Sequence, residues 1–308
     1  MAQGAPPKRI SRALLRRWPL PLLDAKGDKE ARGTALVVAG SAEMPGAAIL
    51  AGVAALRIGA GRLVVAVPAD VAIAIAPHLP EARVVALPTS PDGGLVASAG
   101  KQVVAMLAQK ADALLVGPGM VGSDTLTPII AFLAARLPTM PLALDAAALA
   151  TAPRRIDGAK SGPTRAVLTP HAGEMARMLG VERAAVERSP LEFALRAARD
   201  YEAVVVLKAG TSVIAHPRGT VWVHEGHTVG LGTSGSGDAL AGLITGLLAR
   251  GAAPEQAAVW GVATHGYAGR ALARRVGDVG FLAREIAGEV PTILRDLAGR
   301  KGTRSGAK

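Results

Sequence analysis

The chain reads as an α/β protein with a central, mostly parallel sheet covered by helices on both faces. Three observations support that reading. Short runs such as Thr34–Ala39, Arg62–Val67 and Ala113–Val116 are apolar at nearly every position, which suits strands buried on both faces rather than on one. Stretches of helical character, many rich in alanine and glycine, separate these runs. The runs end in glycine, proline or a polar residue, at the place where parallel sheets usually bind ligands.

In chain order, residues 1–32 form a basic lead-in punctuated by proline and glycine, with a short helix over Ser11–Trp18. Thr34–Ala39 is the first core strand and ends in Gly40-Ser41. Ala47–Leu56 is a helix of small residues, stopped by Gly59-Ala60-Gly61, and Arg62–Val67 returns as a parallel strand, giving a right-handed βαβ unit. The pattern repeats with a strand at Arg83–Leu87, a helix at Gly100–Gln109 and a strand at Ala113–Val116 that ends in Gly117-Pro118-Gly119-Met120. A helix at Leu126–Leu137 and a short strand, Pro141–Asp145, come next.

Residues 151–164 read as a polar loop. Ala166–Leu168 is a strand leading into Thr169-Pro170-His171 and a helix through Leu179; Ser189–Asp200 is a helix and Ala203–Leu207 a strand that delivers Lys208. Val213–Ala215 and Thr220–His224, joined near Pro217-Arg218-Gly219, form a hairpin at the sheet edge. Long helices follow from about Asp238 to Arg250 and from Pro254 to Arg275, then a shorter pair through Leu297. No linker divides the body, so residues 33–293 are expected to form one domain, with a basic tail at 294–308.

Composition removes several function classes. The absence of cysteine excludes disulfides, thiolate catalysis and cysteine-ligated metals, and the six histidines form no metal-binding spacing. The formal charge of +11 sits mostly in the ends: residues 1–32 carry eight basic and three acidic side chains, and 294–308 carry five basic and one acidic. Such tails are solvated charge rather than a specific nucleic-acid surface. No apolar run approaches the roughly 20 residues of a membrane helix, and Leu14-Leu15 is too quickly interrupted for a signal peptide, so a cytoplasmic protein is expected.

The chemistry centres on Gly230–Gly242, where a glycine-rich loop feeds a helix through Gly235-Ser236-Gly237-Asp238. Glycines let backbone N–H groups turn inward, and the first helical turn adds donors and a positive dipole end, so the junction can hold an anion. Asp238 could cap the helix or serve as a base beside that anion. Lys208, followed by Ala209-Gly210-Thr211-Ser212, could meet phosphate or be merely solvated. His171 could donate to a polar substrate or cap the helix whose first turn holds Glu174, and Asp145 is a second well-placed acid. His265, in the small-residue stretch Val262–Gly266, reads as a packing histidine. No Walker loop is present, and the dinucleotide fingerprint has the wrong spacing.

Taken together, these pieces resemble the ribokinase-like superfamily, whose Gly-x-Gly-Asp sequence at a helix start matches Gly235-Ser236-Gly237-Asp238. Within it the sequence is most similar to the nucleotide-dependent NAD(P)H-hydrate dehydratases. That similarity rests on Gly40-Ser41 with Pro45-Gly46-Ala47-Ala48, Ala54-Ala55-Leu56-Arg57 with Gly59-Ala60-Gly61, and Gly117-Pro118-Gly119. It continues through Leu168-Thr169-Pro170-His171-Ala172-Gly173-Glu174-Met175, Val206-Leu207-Lys208 and Thr233-Ser234-Gly235-Ser236-Gly237-Asp238, all in the family's order.

The resemblance implies a three-layer α/β/α fold and repair of hydrated nicotinamide cofactors: the S epimer of NADHX or NADPHX is phosphorylated on its ring hydroxyl and loses phosphate to restore the double bond. It implies ADP as phosphoryl donor, with ATP the eukaryotic counterpart, and Mg2+ as cofactor. By analogy Asp238 is the base and Gly235, Ser236 and Gly237 hold the phosphoryl group in transfer. Ala47, Gly119, His171 and Asp238 contact the hydrated dinucleotide, and Lys208, Ala209, Gly210, Thr211, Ser212 and Gly237 surround the nucleotide. No protein metal ligand is assigned. A homo-oligomer is expected. Residues 1–32 are too short for the N-terminal epimerase domain of many bacterial relatives, so a stand-alone dehydratase with any epimerase on another chain is expected.

Three positions depart from the family pattern: Ala147 where a second acid is common, Ala172 where proline is usual, and Ser234 where glycine is frequent. Three other functions stay open at this level. They are a kinase of the same fold that keeps the phosphate on a vitamin precursor or sugar, an inactive nucleotide-binding protein, and nucleic-acid binding through the tails.

Overall fold

Alternate residues of each core strand point into two different apolar layers, which is why the strands are apolar throughout. In β2 (Thr34–Val38), Ala35 and Val37 enter one cluster with the helices behind the sheet, while Leu36 and Val38 enter the other. A computed structural model describes residues 6–298 other than 23–27, 90–94, 108, 122–125, 137–138, 153–164 and 227. Most of the loop expected at 151–164, most of the basic tail at 294–308 and parts of the lead-in therefore lie outside the described residues.

The strands after β2 are β3 (Arg62–Pro68), β4 (Ala82–Leu87), β5 (Ala113–Val116), β6 (Leu142–Leu144), β7 (Ala166–Leu168), β8 (Val204–Leu207), β9 (Thr211–Ala215) and β10 (Val221–Glu225), with a two-residue β1 at Lys8–Arg9. They form one sheet of order β1-β10-β9-β8-β7-β6-β5-β2-β3-β4. From β2 to β8 every pairing is parallel, and β9 is antiparallel to both β8 and β10. The expected hairpin is present, and β1 covers its outer strand in a parallel pairing. Strand order reverses between β2 and β5, so the carboxyl ends of those strands flank a crevice.

One layer of helices comprises α2 (Gly46–Arg57), α9 (Ser236–Ala249), α10 (Pro254–Arg275) and α11 (Ala283–Ala298), with the short α1 (Arg12–Arg17) and α3 (Ala69–Ile75) beside them. The other comprises α4 (Ser98–Leu107), α5 (Leu126–Arg136), α6 (Ala172–Leu179), α7 (Arg183–Arg188) and α8 (Pro190–Tyr201). This is a three-layer α/β/α arrangement. Among the described residues no helix is long and apolar enough to cross a membrane.

Four elements differ from the sequence expectation. The lead-in contributes β1, whose Ile10 is buried and whose Arg9 pairs with Glu225. Trp18 stacks on Trp222 with ring centroids 5.8 Å apart, and its carbonyl accepts from Trp260 Nε1 at 2.9 Å. α3 and α7 are helices of seven and six residues, too short for a periodic signal. α11 is one helix that runs through Pro291, in place of the expected shorter pair of helices through Leu297.

α9 is nearly enveloped: twelve of its residues are buried, Ser236 and the run from Ala239 to Ala249. Its most extensive helix contact is with α2. Gly242 and Gly246 lie against Ala51 and Ala55, so close that a methyl on Gly242 would overlap the Ala51 carbonyl oxygen. Gly242→Ala should therefore lower stability by about 2 kcal/mol, because overpacking outweighs the roughly 1 kcal/mol that alanine gains over glycine in a helix. A denaturant midpoint equal to or above that of the unsubstituted chain would show that the contact is not tight.

Candidate active site

Five neighbouring parallel strands end in the residues of interest: β2 before Gly40, β5 before Gly117, β6 before Asp145, β7 before Thr169 to His171 and β8 before Lys208. α9 points its amino end at the same region. Its N-cap is Gly235 with φ of 86°, a left-handed conformation that suits glycine, and no side chain caps it. Ser236, Gly237 and Asp238 form the first turn, two residues earlier than the sequence suggests, so backbone N–H groups and the helix dipole face the strand ends.

Lys208 reaches the centre of this arrangement. Its Nζ lies 2.8 Å from Asp145 Oδ1 and 3.9 Å from Glu174 Oε2. Asp145, 2% exposed, also accepts from Thr169 Oγ1 at 2.7 Å. Burial works against the Lys208 charge, but the charges of Asp145, Glu174 and Asp238 outweigh it and hold the ammonium above its ordinary pKa. Gly237 leaves room for this pair: a methyl there would stand 3.3 Å from Lys208 Nζ.

Asp238 sits in the opposite electrostatic position. Burial, then the neighbouring Asp145 charge, push its carboxyl up to about 6, with Lys208 restraining the rise. At neutral pH the group is mostly ionised yet basic enough to accept a proton from a hydroxyl.

His171 is the N-cap of α6. Its Nδ1 accepts from the backbone N–H groups of Gly173 at 3.0 Å and Glu174 at 3.3 Å, while the Glu174 carboxylate accepts from the His171 N–H at 2.8 Å. Burial lowers the His171 pKa, and Lys208 reinforces that against the opposing charge of Glu174. The ring is therefore neutral with its proton on Nε2, so capping and donation to a ligand are compatible. Ala172 is the first residue of α6, a position that proline would also suit.

A cavity of about 530 Å³ opens here, lined by His171, Lys208, Ala209, Gly210, Gly237 and His265 among others, with Thr228–Thr233 forming one wall. Of the remaining site candidates, Thr211 is exposed at the start of β9, and Ser212 is fully buried opposite His224. Ala47 and Gly119 touch each other rather than the cavity; Gly119 has φ of 63°, and a methyl on it would meet Ala47 Cβ at 2.5 Å. Leu50, one turn along α2 from Ala47, packs at Gly235, so this patch lies one helical turn from the α9 amino end. Asp238 stands beside the lining residues rather than among them.

The sequence did not identify three parts of the site. The Asp145–Lys208 pairing joins residues 63 positions apart. The start of the wall, Thr228 and Val229, precedes the glycine-rich loop and carries no signal of its own. His265 reaches from α10 to Ser236, with Nε2 2.9 Å from Oγ and 3.1 Å from the carbonyl oxygen, and nothing in its own helix names that partner. Among the described residues no cluster of three metal-capable side chains occurs. A second cavity, about 440 Å³, lies at the opposite strand ends beside Arg62 and Arg83. Those cations are engaged by Glu30 and Gln109, so we assign the chemistry to the carboxyl-end cavity.

Comparison with known proteins agrees with this geometry. An ADP-dependent (S)-NAD(P)H-hydrate dehydratase of Xanthomonas campestris is 47% identical over 288 residues, covering 94% of this chain and 96% of the relative. A crystal structure of the ADP/ATP-dependent NAD(P)H-hydrate dehydratase of Bacillus subtilis, co-crystallized with ATP/Mg2+, superposes with a TM-score of 0.81 at 31% identity, covering 96% of this chain and all of that one. A ribokinase-like superfamily protein of Enterococcus faecalis shares the fold, with a TM-score of 0.79 at 24% identity over 94% of this chain and 96% of that one. The family model for NAD(P)H-hydrate dehydratase matches residues 35–292, and the chain belongs to that family.

Proposed function

We propose that this chain carries out the ADP-dependent dehydration of (6S)-NADHX and (6S)-NADPHX to NADH and NADPH, releasing AMP and phosphate. The observation that carries the reading is the place of the Asp238 carboxyl, in the first turn of an uncapped buried helix beside the Lys208 ammonium, where burial pushes it up to about 6. That combination supports reading Asp238 as a base next to a helix end that can hold phosphate. Family membership supplies the substrate class.

In this mechanism Asp238 accepts the proton of the ring hydroxyl, whose oxygen bonds to the terminal phosphorus of ADP as the bond to the AMP oxygen breaks. Lys208 and the backbone N–H groups of Gly235 to Gly237 stabilise the charge on the phosphoryl group in transfer. The ester then breaks at carbon, phosphate leaving with the electron pair, and loss of a neighbouring C–H proton to water restores the ring double bond. His171 donates from Nε2 to the dinucleotide, which Ala47 and Gly119 also contact. Lys208, Ala209 and Gly210 line the nucleotide side, with Thr211 exposed next to them and Ser212 buried behind.

Mg2+ fits as an ion carried on the ADP phosphates, since no three-ligand protein cage occurs among the described residues and this ion commonly keeps water and phosphate oxygens. When bound, it would neutralise phosphate charge, and Asp145 and Asp238 would be the carboxylates available to support it. ATP is the second donor to test. We further propose residues 33–293 as the catalytic unit, a homo-oligomeric cytoplasmic enzyme, and an R-to-S epimerase on a separate chain as its functional partner.

The assay is direct: NADHX with ADP and Mg2+ should yield the absorbance of reduced nicotinamide together with AMP and phosphate. A stable phosphorylated product from another alcohol, without reduced nicotinamide, would identify a kinase instead. Asp238→Asn should reduce kcat by about 10³-fold while ADP affinity, measured by calorimetry, changes little.

The acid limb of kcat/KM should fall through an apparent pKa of about 6, and an unshifted carboxylate range would remove Asp238 from the role of base. The same shift has a sign in stability. The folded pKa lies above the ordinary 3.8, so the protonated carboxyl favours the fold, and that contribution is lost as pH rises through about 6. Asp238→Asn should thus unfold at a higher temperature than the unsubstituted chain at pH 8, with the gap closing at pH 4.

A further inference from the structure

His265 is 3% exposed in the middle of α10, a helix packed along α9, and its ring reaches the first turn of α9. The two contacts it makes there decide its hydrogen. The Ser236 carbonyl oxygen, 3.1 Å from Nε2, can only accept, so Nε2 carries the proton. The same N–H lies 2.9 Å from Ser236 Oγ, which therefore accepts as well. A hydroxyl that accepts from the ring must direct its own hydrogen elsewhere. Ser236 and His265 both line the carboxyl-end cavity, and Ser236 stands between Gly235 and Gly237 in the turn that faces it.

From this geometry we infer that His265 is a positioning residue: its Nε2–H fixes Ser236 so that the Oγ–H donates to the phosphoryl group held at the amino end of α9. The ring spends its hydrogen on the carbonyl and on Oγ, which keeps the serine from donating inward. The anion site then contains one side-chain hydroxyl donor besides the backbone N–H groups and Lys208. A donor aimed at charge that develops in the transition state acts on kcat rather than on substrate affinity. A histidine that only fills space would instead affect stability and leave kcat of the folded fraction unchanged.

The inference rests on the phosphoryl-transfer reading above, and its test separates the two. Ser236→Ala and His265→Leu should each lower kcat by about 100-fold with little change in KM for NADHX. The double variant should be no worse than either single within about twofold, because both changes remove the same hydroxyl donation. His265→Gln, whose amide N–H can reach the serine, should recover most of the rate. Ser236→Ala removes no bulk, so it reports even if His265→Leu folds poorly. Near-normal kcat in Ser236→Ala, or full additivity in the double variant, would overturn the assignment.

Binding of AMP with fluoroaluminate, a stand-in for the phosphoryl group in transfer, reads the same donation without turnover. Both single variants should weaken that complex and leave AMP alone unchanged; equal affinity in all three proteins would also overturn it. If the unsubstituted chain binds the mimic but does not convert NADHX, the substrate assignment fails while the role of His265 is still decided by these affinities.

Discussion

Lys208 is a cation largely withdrawn from water at the cavity wall, and much of the site follows from keeping it charged there. A buried ammonium without partners would lose its proton, so the fold surrounds this one with carboxylates from three other segments: Asp145 after β6, Glu174 in α6 and Asp238 in α9. The same contacts set the other groups. Asp145 is committed to Lys208 and Thr169, and its charge helps drive Asp238 upward. Glu174 closes the capping box with His171, which leaves Nδ1 of the ring occupied and Nε2 as the donor. The lysine is therefore linked electrostatically to the raised Asp238 carboxyl, a neutral histidine and a fixed carboxylate.

Geometry of this precision needs α9 at a set depth, and small residues provide it. Gly242 and Gly246 bring α9 onto Ala51 and Ala55 of α2 until backbone meets backbone. Gly117, with φ of 125°, lets the turn after β5 lie against the Asp145 carbonyl, where a methyl would overlap it. Displacing either contact would move Asp238 relative to Asp145 and Lys208, and with it the balance that holds the Asp238 carboxyl at about 6. Packing behind the site and proton affinity within it are thus coupled.

The sheet was largely legible because each core strand is buried on both faces, which writes an uninterrupted apolar run into the sequence; Thr34–Val38 and Val204–Leu207 are examples. The glycine-rich loop and Asp238 were legible because an anion-binding helix start has a local composition. What escaped notice depends on distant partners. Lys8–Arg9 is a strand only because β10 offers an open edge, and α11 passes through Pro291 because Ile286, Val290 and Ile293 bury one face of it. Asp145 was seen as an acid at a strand end, but its pairing with Lys208 spans 63 residues and two intervening strands, β7 and β8. His265 read as packing because its helix is rich in small residues, and those residues are what let α10 approach α9 closely enough for the ring to reach Ser236.

On the proposed function, the charge count of the site gives a reason for backbone and a metal ion to share the work of binding a nucleotide. With Asp238 ionised, Lys208 stands against Asp145, Glu174 and Asp238, so the side chains around the cavity sum to a negative charge. A diphosphate entering such a site would be repelled by side chains alone, and its own charge would raise Asp238 further and weaken it as an ionised base. The positive end of α9 and the N–H groups of its first turn meet part of that charge without adding a titratable group. A divalent ion travelling with the phosphates meets more of it, and one that binds through the ligand needs no dedicated protein cage. The ion dependence proposed above therefore requires no three-ligand cluster among the described residues.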